Sequence, residues 1–234
     1  MTMNRPTEVL KVLQGLPNHT KTHGANKWIE DERKYPEFVD FVQKTQPNSV
    51  FEIGPMLGYA LVAAKYARPE ITRLHWIDTE RDISGSNKLC EENILSLDEE
   101  VDVQYWKKVD SNFKPTQCDL VIVDAHYHDS PAIIADFSLA RALLPKWIVG
   151  WGCNDSTSCI LKTLKDENGI NPFHLKDTLG MWVYCSDYEM QNSLFGNQKI
   201  DEETKSWDLA DDLSNEDSSP VDAGDTEEGG EDAY

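Results

Sequence analysis

Glu52, Asp78 and Asp124 each stand at or next to the end of a short apolar run, with neighbours that could do chemistry. The first lies in Val50-Phe-Glu-Ile-Gly-Pro-Met-Leu-Gly-Tyr-Ala60, where Gly54 and Gly58 bracket a tight turn. Glycines at a strand-to-helix turn let backbone approach a ligand closely, and open α/β sheets bind ligands at the carboxyl ends of their strands. Asp78 closes the next apolar run, 20 residues beyond Gly58. A carboxylate at that spacing is placed to accept hydrogen bonds from ribose hydroxyls. Two solvated acids beside a turn kept for close contact would explain each feature singly; their coincidence favours a nucleotide-type ligand. The third acid opens Asp124-Ala-His126-Tyr-His128-Asp129. Two histidines at i and i+2 beside an acid can take up and release protons near neutral pH. An ordinary surface loop would carry the same residues, and either histidine could be the one that acts.

These positions depend on elements that the sequence also announces. Residues 6–16 read as a helix, with Pro6 at a first helical position and an apolar stripe of Val9, Leu10, Val12, Leu13 and Leu16. A polar stretch containing His19 and His23 follows and reads as a loop, a candidate lid over Thr20 to Lys27. A second helix is expected from Pro36 to just before Pro47. From Ser49 onward, strands at 49–53, 74–78, 101–106, 119–124 and 147–151 alternate with helices at 59–67, 86–97, 131–144 and 156–167. That alternation specifies a parallel sheet with both faces covered. The runs 173–179 and 181–188 are separated only by Gly180, too little for a crossover helix, so they should pair antiparallel at one edge. The expected fold is α/β: a Rossmann-like, mostly parallel sheet with helices on both faces and a C-terminal antiparallel strand pair. Trp147 and Trp151 are explained by sheet contacts alone, and Cys153 reads as a small buried apolar residue.

Charge divides the chain and excludes some functions. The net charge is −20 over 234 residues. Residues 201–234 hold 14 Asp and Glu and one Lys, a charge of −13, which leaves the first 200 residues at −7 with 28 acidic and 21 basic side chains. No stripe of Lys and Arg is present to neutralise phosphates, so a nucleic-acid partner is not expected. No apolar stretch approaches a membrane span, and the first residues lack a signal-peptide pattern. The five cysteines are odd in number and without CxxC spacing, which suits neither a disulfide framework nor a zinc site and points to a cytoplasmic protein. Three regions are expected: an N-terminal helical cap or lid over 1–47, the sheet domain over 48–190, and an acidic tail over 191–234. The tail's composition predicts disorder and offers a surface for a protein partner.

Glu52-Ile-Gly54-Pro-Met-Leu-Gly58-Tyr59 resembles the nucleotide-binding turn of class I S-adenosylmethionine-dependent methyltransferases. Met56 stands where many members have a glycine. That variant, with Gly-Tyr at its end, is similar to the small-molecule O-methyltransferases acting on catechols and caffeoyl thioesters. The resemblance spans about residues 48–188, including the final strand pair. It implies S-adenosylmethionine as cofactor, cradled at its methionine end by the turn from Glu52 through Gly54, Met56 and Gly58 to Tyr59. Asp78 would hold the ribose, and Asp110 and Ser111 would lie beside the adenine. Asp124 matches the family acid that faces the transferred methyl group and, in metal-dependent members, binds magnesium. A second acid and an amide follow the fifth strand in those members, and Asn154-Asp155 stands there in the reverse order. Asp124, Asn154 and Asp155 are thus candidate ligands for Mg2+; alternatively, Asn154 or Asp155 caps the next helix. Asp124, His126 and His128 are the candidate catalytic residues, one histidine taking the proton of a hydroxyl nucleophile. Tyr127 occupies the place where catechol enzymes carry a lysine.

The function implied is methylation of a small-molecule or sugar hydroxyl. The turn before Tyr127 lacks the prolines of enzymes that methylate nucleobase amino groups. An NAD-dependent oxidoreductase would share the first-turn glycines and the following acid, and a non-catalytic binding or scaffold protein could keep the same fold.

Overall fold

In the computed structural model, which describes residues 5–19, 34–78, 84–124, 130–151, 173–175, 178 and 181–196, the run Ser49–Ile53 forms strand β1 with all five residues buried. A strand buried on both faces sits in the middle of a covered sheet. Its neighbours are β2 (Arg73–Ile77), β3 (Asp102–Trp106), β4 (Leu120–Val123), β5 (Trp147–Gly150), β6 (Phe173–His174) and β7 (Trp182–Cys185). The seven strands run in the order β3-β2-β1-β4-β5-β7-β6. The first five are parallel, and β7 lies antiparallel to both β5 and β6. The expected fold class is the one observed: a Rossmann-like sheet that closes with an antiparallel pair. β7 is inserted between β5 and β6, so the sheet departs from the all-parallel 3-2-1-4-5-6 order of dinucleotide-binding domains.

Six α-helices are described: α1 (Val9–Gln14), α2 (Lys34–Thr45), α3 (Tyr59–Ala67), α4 (Ser86–Leu95), α5 (Ser130–Ala142) and α6 (Tyr188–Phe195). Side chains alternate between faces along each strand. Val50, Leu74, Trp76, Ile122 and Val149 join the core built with α1 to α4, while Phe51, Ile77, Val121, Ile148 and Trp182 join Phe137 and Ala140 of α5 on the other side. Val9, Leu13, Phe38 and Val42 have no exposure. The two N-terminal helices therefore lie within the main core. No helix among the described residues is long and apolar enough to cross a membrane.

The N-terminal helix opens with a 3-10 turn over Pro6–Glu8, and β6 stops at His174, short of the run expected over 173–179; two helices differ further. Helix α2 begins at Lys34, two residues ahead of Pro36, because a proline in the first helical turn gives up an N–H that has no intrahelical partner anyway. Helix α6 runs from the last residue of the expected strand 181–188 into the first residues of the expected tail. The Asp187 carboxylate accepts from the N–H groups of Glu189 and Met190 at its start. Phe195 at its end meets Phe41 and Trp147 with ring centroids 5.8 and 5.6 Å apart, so the folded body continues past residue 190. The helix expected at 156–167, the candidate lid over Thr20 to Lys27, the turn at Gly180 and residues 197–234 of the acidic tail lie outside the described residues.

Candidate active site

Three parallel strands end side by side, and backbone hydrogen bonds carry their ladder one residue further. Gly54 N–H donates to Ile77 O at 2.9 Å, Asp78 N–H to Trp106 O at 3.0 Å and Asp124 N–H to Ile53 O at 3.1 Å. Gly54, Asp78 and Asp124 thereby line the carboxyl edge of the sheet around β1, where the strand order reverses direction. Open α/β sheets bind their ligands at this place.

The turn after β1 winds through three left-handed residues: Gly54 at φ 79°, Met56 at φ 50° and Gly58 at φ 74°. A side chain in that region is unfavourable by about 1–2 kcal/mol, so Met56 holds a conformation that a glycine would adopt without strain. Gly58 is required twice over. Besides its φ, a Cβ there would lie 2.5 Å from Cys90 Sγ on α4. The glycine thus serves helix contact as directly as ligand approach. Asn93, also on α4, donates through its side-chain amide to Leu57 O at 3.0 Å and fixes the turn from outside.

Glu52 on β1, two residues before this turn, is buried to 1 % exposure, and its Oε2 has no hydrogen-bond partner among the described residues. Burial pushes its carboxyl well above the ordinary range, and the nearby Asp124 and Asp78 push the same way. Lys34 and the Leu61 backbone N–H in the first turn of α3 oppose the shift without overcoming it. A buried carboxyl oxygen without a partner is costly unless something completes it. A cationic group on a ligand would do so.

Asp78 is held from the first turn of α4. Ser86 Oγ donates to Asp78 Oδ2 at 2.8 Å, Asn87 Nδ2 donates to Asp78 O at 3.1 Å, and Asn87 in turn accepts from Trp76 Nε1 at 2.8 Å. Ser86, Asn87 and Trp76 are all essentially buried, so this carboxylate is locked in place at the end of β2. Tyr59, the first residue of α3, shares a 2.9 Å hydrogen bond with His19 Nδ1, and burial pushes its phenol up to about 12. The phenol thus ties the N-terminal segment to α3. Asp110 lies after β3 and folds its own turn: Oδ1 accepts from Asn112 N–H at 2.8 Å, and Oδ2 pairs with Lys108 at 3.3 Å. Ser111 beside it is exposed.

At the end of β4, Lys34 Nζ donates to Asp124 Oδ2 at 3.0 Å, and both side chains are about one-fifth exposed. The ammonium lies 4.3 Å from the ring centroid of Trp151 and 5.5 Å from that of Tyr35. Burial pushes the lysine down, but Asp124, Tyr35 and Glu52 more than offset this and hold it above its ordinary range. His126, His128, Asn154 and Asp155 lie outside the described residues. Among the described residues no group of three or more His, Cys, Asp and Glu is arranged to hold a metal. The Asp124 carboxylate is thus paired to an ammonium in this structure.

Sequence reasoning missed Lys34, Tyr35 and Trp151 at Asp124, Ser86 and Asn87 at Asp78, and Asn93 at the turn. The available signals were weak: a Ser-Asn pair opening a helix just after Asp78, and a Lys-Tyr pair immediately before Pro36. Trp151, taken as a sheet residue, does contact Phe38 of α2 at 5.2 Å between centroids, but it also floors the ammonium.

No family model matches the chain, and no curated protein is similar to it in sequence. Solved structures are similar in fold. A methyltransferase of Podospora anserina, determined with bound S-adenosylhomocysteine, matches 80% of this chain and 89% of its own at 14% identity, with a TM-score of 0.52. A Staphylococcus aureus protein assigned as a caffeoyl-CoA O-methyltransferase matches 72% of this chain and 94% of its own at 11% identity, with a TM-score of 0.50. With the strand order and the terminal antiparallel pair, these matches show that the chain has the Rossmann-like fold of S-adenosylmethionine-dependent methyltransferases.

Proposed function

We propose that the protein is an S-adenosylmethionine-dependent methyltransferase acting on a hydroxyl of a small molecule or sugar. One observation carries this reading: the buried, unpartnered Glu52 Oε2 belongs to the strand that leads into a left-handed turn at the switch point of the sheet, with a hydrogen-bonded Asp78 one strand away. The residues fit the cofactor. Glu52 would meet the amino group of the methionine moiety, the backbone of 54–58 would cradle that moiety, and Asp78 would accept from the ribose hydroxyls. When bound, the cofactor supplies a methyl group made electrophilic by its sulfonium.

The chain's own residues then do the rest. Asp124 and Lys34 form an ion pair at the neighbouring strand end and orient an acceptor hydroxyl. Positioning of this kind contributes most of the rate in a displacement between bound partners. Removal of the hydroxyl proton adds about 10²–10⁴-fold, and His126 and His128 follow Asp124 closely enough in sequence to be candidates for it. The antiparallel β7 between β5 and β6 speaks against the oxidoreductase alternative. The test is transfer of labelled methyl from S-adenosylmethionine to a panel of catechols, phenols and sugars. Transfer by the wild type that is lost in Asp124→Asn supports the proposal. S-adenosylhomocysteine binding with no transfer to any hydroxyl acceptor would favour a binding protein.

A further inference from the structure

The ion pair at Asp124 has a consequence for metal use, and the inference rests on the methyltransferase reading for its activity arm. Lys34 is not on a free surface arm. It opens α2, whose next residues include Tyr35 and Phe38, buried to 3% and 0% exposure. Its ammonium lies on the Trp151 ring, which itself sits edge-on to Phe38. Cation–ring contact and a charge-assisted hydrogen bond favour the same position. Among the described residues Asp124 is its one hydrogen-bond acceptor. Two further acids, Glu52 and Asp78, lie near enough to act on one another, and Lys34 is the cation that acts on Glu52 among the described residues.

A magnesium ion binds carboxylate oxygen at about 2.0–2.1 Å and demands a nearly octahedral set of oxygens. An ion on Asp124 would face the ammonium at short range, where like charges repel. Retreat of the lysine would strip it of both its aromatic floor and its carboxylate. We propose that Lys34 is the resident cation of this site, occupying at Asp124 the place a divalent metal would need, so that the acceptor is oriented by an ammonium and not by a metal. One N–H of the ammonium is spent on Asp124; the others can meet an acceptor oxygen.

Two measurements decide this without any substrate. Full-length wild type and Asp124→Asn are titrated with Mn2+, followed by the signal of the free ion in electron paramagnetic resonance. The 14 acids beyond residue 200 are common to both proteins, so the difference reports Asp124 alone. Coincident curves are expected; a wild-type site absent from Asp124→Asn overturns the proposal. A double-mutant cycle of Lys34→Met and Asp124→Asn, read by urea unfolding, should show a coupling of about tenfold in the folding equilibrium. Additivity of the two substitutions overturns it. If methyl transfer is found, it should proceed unchanged in EDTA, whereas loss in EDTA with recovery on adding Mg2+ overturns the proposal. If neither cofactor binding nor transfer is found, the functional reading fails while the Mn2+ titration and the cycle still decide the role of Lys34.

Discussion

The side-chain amide of Asn93 donates to the carbonyl oxygen of Leu57 at 3.0 Å, tying α4 to the turn that follows β1. The same side chain accepts from Asn18 N–H at 3.2 Å, so one fully buried residue braces the turn, the helix and the N-terminal segment together. Asn93→Ala leaves a buried donor and a buried acceptor without partners. It should destabilise the protein by about 1–3 kcal/mol and weaken S-adenosylhomocysteine binding through a looser turn. Urea unfolding and calorimetry on the one variant check both effects; unchanged affinity would show that the turn holds its shape without this brace.

Gly58 offers a way to separate helix contact from ligand approach. Gly58→Ala should destabilise by roughly 2–4 kcal/mol, from left-handed strain and overlap with Cys90. Adding Cys90→Ala removes the overlap and should return part of that loss in thermal unfolding. If affinity for S-adenosylhomocysteine returns with stability, the glycine matters for its contact with α4; if affinity stays low, the ligand itself needs the bare backbone.

Much of the frame was legible because its signals are local. Strand β1 and helix α3 follow from an apolar run, two glycines and an alanine-rich helical stretch, and they fall at 49–53 and 59–67 as expected. The acids at strand ends were equally visible, since a charged residue closing a fully apolar run has few places to go. What could not be read were partners brought from far along the chain. Lys34 meets Asp124 across 90 positions and Asn18 meets Glu92 across 74; no spacing rule encodes such pairs. Helix α6 was hidden for a different reason: its stability comes from the Asp187 cap and from Phe195 seated among Phe41 and Trp147, not from an apolar stripe.

The raised pKa of Glu52 gives a pH dependence of definite sign. The folded state keeps the proton to a higher pH than the unfolded chain does, so between the two pKa values the folded state binds more protons. Stability contributed by the neutral carboxyl is therefore full in acid, below the unfolded value of 4.5, and declines as pH rises toward the folded value. Glu52→Gln should match wild type near pH 4 and exceed it in urea midpoint near pH 7. The same variant should bind S-adenosylhomocysteine more weakly, by about tenfold to a hundredfold for one charge-assisted contact. Parallel stability profiles from acid to neutral pH would contradict the buried-acid assignment.

Asp78→Ala removes the proposed ribose contact. Loss of its charge-assisted hydrogen bonds should cost about 1.5–3 kcal/mol of binding, read as a weaker dissociation constant for S-adenosylhomocysteine. Ser86→Ala, which removes one hydrogen bond to the carboxylate without deleting it, should have a smaller effect in the same direction. Equal affinities in wild type and Asp78→Ala would mean that the ribose partner lies elsewhere.

The proposed function requires that the carboxyl edge at the ends of β1, β2 and β4 bind S-adenosylmethionine. Isothermal titration of the full-length protein with S-adenosylhomocysteine and, separately, with NAD tests it most directly. The account predicts saturable binding of S-adenosylhomocysteine at one site per chain, weakened in Glu52→Gln, and no binding of NAD. Binding of NAD with none of S-adenosylhomocysteine would contradict it.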